Sequence, residues 1–334
     1  MKHGTGPEGT SSSSALQDRS KTLLIFSKFG TIIGMVILFL AFSIAVPRVF
    51  PTLRNIVNIV NQASLAAIIG GGLTVALIIG EMDLSIAYVA SFAGVLVTGL
   101  MVESGLPVWL AIIVVLLVGA AIGVMNGLII TKLRVNAVVA TLGSGSIVVG
   151  LNYAYAQGVP IASGLPEAFK MISLGRTLGI PNNIIIMAVV LFLLWVFINL
   201  TEWGVQLRAT GGNVSAARLS GIRVDRIKIM GLAITSMCAS LTGILLASLI
   251  GSGTSAAADG YLMPAFAAVF LGSATLKDGE FHILGTLVGV FFIGIGFNGL
   301  AILGVPAFVQ YFFRGGILVL AVGLSSVARS MATR

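Results

Sequence analysis

Residues 107–130 read PVWLAIIVVLLVGAAIGVMNGLII, 24 consecutive residues without one ionisable side chain. A helix needs about 20 such residues to cross the roughly 30 Å of hydrocarbon in a bilayer, so this stretch is long enough to span. It is not isolated. Of 334 residues, 57% are hydrophobic and 9% charged, against roughly a quarter charged in an ordinary soluble domain. No fold of that composition could bury its apolar surface and still cover the remainder with a hydrated shell. A soluble protein is excluded, and the bilayer is the solvent.

Outward from this run, apolar stretches bounded by breakers recur near 29–46, 56–79, 84–102, 135–156, 182–199, 229–250, 261–275, 283–302 and 308–327, making ten in all. The predicted fold is all-α integral membrane, a polytopic bundle of about ten transmembrane helices over 23–330. Residues 1–22 are rich in Ser, Gly and Thr and carry Lys2, Arg19 and Lys21; they read as a disordered polar tail. The run at 29–46 is too long for a signal-peptide core and lacks a small-x-small cleavage site, so it is expected to stay as the first span. A single Cys, Cys238, rules out a disulfide framework.

The net charge of +8 is informative through its placement. With a cytoplasmic N-terminus and ten spans, 14 of the 19 basic residues fall on the inside: Lys2, Arg19, Lys21, Lys28, Lys132, Arg134, Arg208, Arg218, Arg223, Arg226, Lys228, Lys277, Arg329 and Arg334. Arg48, Arg54, Lys170, Arg176 and Arg314 fall outside. Basic residues concentrate in cytoplasmic loops, so both termini are expected there. No nucleic-acid module accompanies the charge.

Two inter-span segments are long. The outer one, 157–181, has the Gly and Pro density of a surface loop and could meet an external partner. The inner one, 200–228, contains a predicted short helix: Gly211-Gly212 breaks the preceding structure, Asn213 caps, Ser215 to Ser220 is helix-compatible and Gly221 stops it. It reads either as a helix that lies in a groove of another protein or as an ordinary basic cytoplasmic loop.

The segment LRATGGNVSAARLSGIRVDRIK at 207–228 resembles the cytoplasmic coupling loop of membrane subunits of ABC importers of the ribose-type sugar family. GEMDLSIAYVASFAGV at 80–95, GVMNGLIITKLRVNAVVATLGSGSIVVGL at 123–151, GYLMPAFAAVFLGSATLKDGEFHILGTLVGV at 260–290 and FNGLAILGV at 297–305 resemble the same family, so the likeness covers about 55 to 325. It implies a permease domain, an ATP-binding cassette subunit docking at Asn213–Arg226, a periplasmic or lipid-anchored solute-binding protein docking outside, and a second permease subunit, identical or not. Asn213, Ser220 and Gly221 would shape the coupling helix; Ala216, Ala217 and Leu219 would fill the partner's socket, with Arg208, Arg218, Arg223 and Arg226 around the rim. A phosphate-binding loop needs Gly-x4-Gly-Lys-Ser/Thr, and the chain has no Gly-Lys dipeptide. ATP and Mg would be bound by the partner; no cofactor is expected in this chain, and it is not expected to be an enzyme.

A neutral sugar needs donors and acceptors without a counter-ion. The runs carry almost no ionisable residue away from their ends, whereas ion-coupled transporters place acids or His there despite a cost of about 3 kcal/mol or more. Asn55, Asn58, Asn61 and Gln62 recur on one face of the second run and should face a pore or another helix. Asn58, Asn61, Gln62 and Asn298 are the candidate pathway residues, with interhelical hydrogen bonding as the equal alternative; Asn152, Tyr153 and Tyr155 are weaker candidates. Asp83, in the Gly-x-x-Asp-Leu-Ser pattern of the family, fits a cap for the third run, with a gate or partner contact as the alternative. Glu81, two residues before it, has no third acid or His beside it, and His3 and His282 are isolated. Gly119, Gly123 and Gly127, and Gly285 and Gly289, repeat at four-residue spacing and permit close helix approach, for packing or for sliding. Pro264 in the short eighth run is expected to break or kink its helix and free backbone groups toward the pathway.

Leu262-Met263-Pro264 stands where many ribose-type members carry Glu-Leu-Asp, and Ser273 replaces the second Gly of a Gly-Gly pair. The expected function is thus a permease for a ribose-, xylose- or galactose-like monosaccharide. Alternatives are a permease for branched-chain amino acids or nucleosides, and an ion-coupled secondary transporter. An intramembrane enzyme lacks a catalytic cluster.

Overall fold

The structure, a computed structural model, describes residues 29–275 and 279–332. The tail 1–22 with Lys2, His3, Arg19 and Lys21 lies outside them, as do Lys28, Lys277 and Arg334; Arg329 is described in its backbone alone. The helices are α1 (Phe29–Ala45), α2 (Leu53–Ile78), α3 (Ile86–Val102), α4 (Val108–Lys132), α5 (Ala137–Ala156), α6 (Glu167–Leu174), α7 (Asn182–Leu200), α8 (Glu202–Gly212), α9 (Val214–Leu219), α10 (Val224–Ile250), α11 (Leu262–Ser273), α12 (Ile283–Ile302) and α13 (Ala307–Ala332). Each apolar run is therefore helical. Among the described residues, α2, α4, α5, α7, α10 and α12 are the six long and apolar enough to cross a membrane. The molecule is an all-α membrane bundle.

One end of the bundle carries α8, α9 and the segment leading into α12, where Gly80 at the end of α2 meets Gly211 and Phe281. The opposite end carries α6 and a hairpin, β1 (Arg176–Thr177) with β2 (Ile180–Pro181). The core is α2 and α10, whose apolar windows are 78% and 67% buried; α4 and α7, at 22% and 28%, leave most of their apolar surface outward, which in a membrane protein faces lipid.

Glycine sets how closely the helices approach. A Cβ on Gly123 would fall 2.3 Å from the Leu232 carbonyl oxygen and one on Gly127 2.6 Å from the Ile229 Cα, so the four-residue stripe of α4 seats its backbone on α10. Gly285 and Gly289 seat α12 on α11 in the same way, against Gly272 and Ala268. Small residues permit such contact where no hydrophobic force between helices is available.

α11 is short because the chain before it re-enters the bundle. Gly253 lies against Gly94 and Thr98 of α3, and farther on the Ala258 N–H donates to Ser91 Oγ at 3.0 Å. The helix then begins inside the protein and spans 12 residues, about 18 Å. Pro264, expected to break this helix, sits in its first turn instead. There the missing N–H has no partner to lose.

Nor is the outer segment 157–181 only a loop. Within it α6 buries Phe169, and Ser248 Oγ of α10 donates to the Phe169 carbonyl at 2.7 Å, which docks α6 on the bundle.

Candidate functional site

At the α8–α9 end the sequence builds a separate small unit. Gly211 closes α8 against α2 so tightly that a Cβ would lie 1.7 Å from the Ile78 carbonyl oxygen. Asn213 Oδ1 then accepts the Ala216 N–H at 3.0 Å and caps α9. Ser220 follows as its C-cap, and Gly221 adopts φ +82°, the left-handed turn that glycine enters without Cβ strain. The residues expected to form one docking surface divide. Leu219 is 90% exposed, whereas Ala217 is buried against its own chain and so is not available to fill a partner's socket. Ala216, Ser220, Gly221, Arg223 and Arg226 are exposed. Arg208 donates to Asn199 Oδ1 at 2.6 Å. Arg218 is 3.4 Å from Asp225, which also takes Lys132 at 2.8 Å, so this cation is partly committed to anchoring α9 on α10 and α4.

Beneath this unit lie the two acids before α3. Glu81 is ion-paired with Lys228 of α10, both side chains largely buried, which explains an acid that had no evident partner in sequence. Asp83 Oδ1 accepts the Ser85 N–H at 2.9 Å and the Ser85 hydroxyl at 2.5 Å, so it holds Ser85, the N-cap of α3, rather than capping a helix amide itself. Asn126 of α4, which sequence reasoning passed over inside an apolar run, donates to Ser85 Oγ at 3.1 Å. Asp83 Oδ2 and Asn126 Oδ1 remain buried without donors. Burial pushes the Asp83 carboxyl above the usual range, against the opposing pull of the two Ser85 bonds.

Two cavities open along the polar stripe of α2. A mouth of about 470 Å³ at the hairpin end is lined by Arg54, Asn55, Asn58, Asn61, Arg176 and Pro181, among others. An inner cavity of about 380 Å³ is lined by Asn61, Gln62, Tyr261, Pro264, Phe297 and Arg314, among others. Asn61 belongs to both and leaves its Oδ1 buried without a partner. Gln62 donates to Asn58 Oδ1 at 3.2 Å along the helix.

Asn298 does not line either cavity. It accepts from Asn55 Nδ2 at 3.0 Å and joins α12 to α2, the interhelical alternative. Asn152 likewise leaves the candidate pathway, since it donates to the Ser255 carbonyl at 2.8 Å and fastens α5 to the re-entrant segment. Tyr153 and Tyr155 line neither cavity. Arg314, counted among the outer loop residues, instead sits in the second turn of α13 and in the inner wall. Its place seven residues into α13, between aromatic residues and Gly315-Gly316, was the available signal. Among the basic residues whose side chains are described, Lys132, Arg134, Arg208, Arg218, Arg223, Arg226 and Lys228 lie toward the α9 end and Arg48, Arg54, Lys170, Arg176 and Arg314 toward the other, seven against five.

The family described as branched-chain amino acid transport system / permease component matches residues 55–322. Ribose import permease protein RbsC of Bacillus subtilis (strain 168) is 37% identical over 299 residues, covering 89% of this chain and 92% of that protein. The protein of the same name from Escherichia coli (strain K12) is 34% identical over 295 residues, 87% and 91% of the two chains. L-arabinose ABC transporter permease protein AraH of Azospirillum brasilense is 32% identical over 322 residues, 95% and 93%. No solved structure matches the chain.

Proposed function

The chain belongs to the family of branched-chain amino acid transport system permease components, and from that premise we infer that it is the membrane-spanning permease subunit of an ATP-driven monosaccharide importer. Similarity to ribose and arabinose permeases along nearly the whole chain carries this reading. It is a multi-pass protein of the inner membrane and not itself an enzyme. It works with an ATPase subunit, which holds ATP and Mg, and with a solute-binding protein. A second permease subunit completes the path.

In this reading all ten apolar helices cross or enter the membrane, both termini are cytoplasmic, and α9 lies on the cytoplasmic face as the coupling helix. The capped α9 is a rigid peg: Asn213, Ser220 and Gly221 fix its ends, Leu219 and Ala216 face outward, and Arg223 and Arg226 flank it. Arg218, through Asp225, ties the peg to α10 and α4, so a push on α9 enters the bundle where the glycine stripe packs. The mouth and inner cavity, with Asn58, Asn61 and Gln62 along them, are the outward part of the pathway. Asp83, through Ser85, holds the start of α3 in place during this motion. ATP binding and hydrolysis in the partner would open the path alternately to the two sides.

Leu219→Asp puts a charge on the outward face of the peg without touching the chain's own core. It is expected to lower ATP-driven uptake at least about tenfold and to weaken co-purification of the ATPase, while the melting temperature in detergent stays unchanged. Uptake at the wild-type rate, or no ATPase associating with the wild-type chain, overturns the reading.

A further inference from the structure

The residues lining the two cavities carry one sign of charge. Arg54 and Arg176 stand at the mouth and Arg314 in the inner cavity, with no Asp or Glu among the residues that line either. Arg314 makes no ion pair among the described residues. Its guanidinium lies over the rings of Phe297 and Tyr311, 5.4 and 5.5 Å from their centres, and its Nε is buried without a hydrogen-bond partner. Asp259, the acid nearest in sequence to the inner lining, accepts instead from Ser91 Oγ on α3 at 3.2 Å.

A 3-10 turn, Asp259–Tyr261, runs directly into α11 beside this cavity, where Gly260, Tyr261 and Pro264 line it. A cation in partly apolar surroundings has given up hydration that only an anion or strong acceptors can replace. Among the described residues no carboxylate supplies them.

We propose that the inner cavity receives a monosaccharide bearing a carboxylate, a sugar acid, with the carboxylate against Arg314 and the hydroxyls against Asn61 and Gln62. The proposal rests on the cavities being the transport pathway and names the substrate class they favour. Arg314 is then the specificity-determining residue, and Arg54 and Arg176 raise the local concentration of anions at the mouth.

The test uses the chain with its ATP-binding partner in nanodiscs, with D-galactose and D-galacturonate as probes of one carbon skeleton. Binding is read by calorimetry and by ligand-dependent melting. Galacturonate is expected to bind about tenfold or more tightly than galactose, as a charge-assisted pair does relative to a neutral contact. Arg314→Gln is expected to remove that preference, and Arg314→Lys, which keeps the charge but not the fork, to retain part of it. Equal affinities in the wild type, or a preference that survives in Arg314→Gln, overturn the inference. An Arg314→Gln protein that melts lower only in discs of anionic lipid, with both affinities unchanged, assigns the guanidinium to lipid and also overturns it. Galactose binding that is lost in Asn61→Leu, without acid preference, refutes the charge argument and leaves the pathway standing. Binding of neither sugar, with uptake unaffected by Asn61→Leu, refutes the pathway itself.

Discussion

Asp83 is fully buried, and only one of its two oxygens is bonded. Burial raises its carboxyl pKa above the ordinary 3.8, so the folded protein holds this proton more tightly than the unfolded chain does. Stability from this group is therefore greatest at low pH and declines as pH rises from the unfolded value through the raised folded one. Asp83→Asn keeps the acceptor for Ser85 and removes the charge. It is expected to raise stability at neutral pH by about 1–3 kcal/mol and to flatten this part of the pH dependence, whereas Asp83→Ala leaves the buried Ser85 N–H without its acceptor and costs about 1–3 kcal/mol. Melting curves in detergent between pH 4 and pH 8 check both. A local anchor here was legible because Asp followed by Leu-Ser before an apolar run has a short-range mechanism, although the residue at the N-cap is Ser85, which Asp83 holds. Asn126 and Arg314 were not, because the partner of one and the exposure of the other are set by helices far away in sequence.

At the scale of the element, glycine separates two classes that composition merges. Gly123 in α4 has the Leu232 backbone where a Cβ would go, whereas Gly143 in α5 has nothing within 4 Å. Gly123→Ala is expected to destabilise by about 1–3 kcal/mol through overpacking; Gly143→Ala is expected to be neutral or to gain about 0.5–1 kcal/mol from lower backbone entropy. Paired thermal melts distinguish them, and equal effects would mean that α4 does not rest on α10 through this stripe. The helix α9 was read almost to the residue from its cap and stop, since both act within one turn. The docking of α6 was not. Its Gly- and Pro-rich flanks argued for loop, and the buried Phe169 that fixes it on α10 declares itself only through tertiary contact. Pro264 failed as a helix breaker for a related reason: the proline rule depends on position in the helix, and re-entry of the chain moved the helix start to its doorstep.

For the whole molecule, the native chain offers one thiol, Cys238, which is 5% exposed inside α10. It should resist membrane-impermeant maleimide, leaving introduced cysteines to report topology. Leu178, 97% exposed in the hairpin, and Leu219 in α9 are separated in sequence by one apolar helix, α7. Leu178→Cys is expected to label in intact cells and Leu219→Cys only in inverted vesicles; labelling from the same side would refute the membrane orientation. By itself the sequence determined the solvent, the helical class, the positions of the long apolar helices, the capped peg and the family likeness. Each follows from hydropathy, length or short-range chemistry written in consecutive residues. Only the tertiary structure decided that Asn298 serves a helix–helix bond, that Asn61 joins two cavities, that α11 starts inside the bundle and that Arg314, without an ion pair among the described residues, faces the inner space. These depend on which distant helices meet and at what depth, and in an apolar chain many faces are equally hydrophobic, so periodicity does not choose among them.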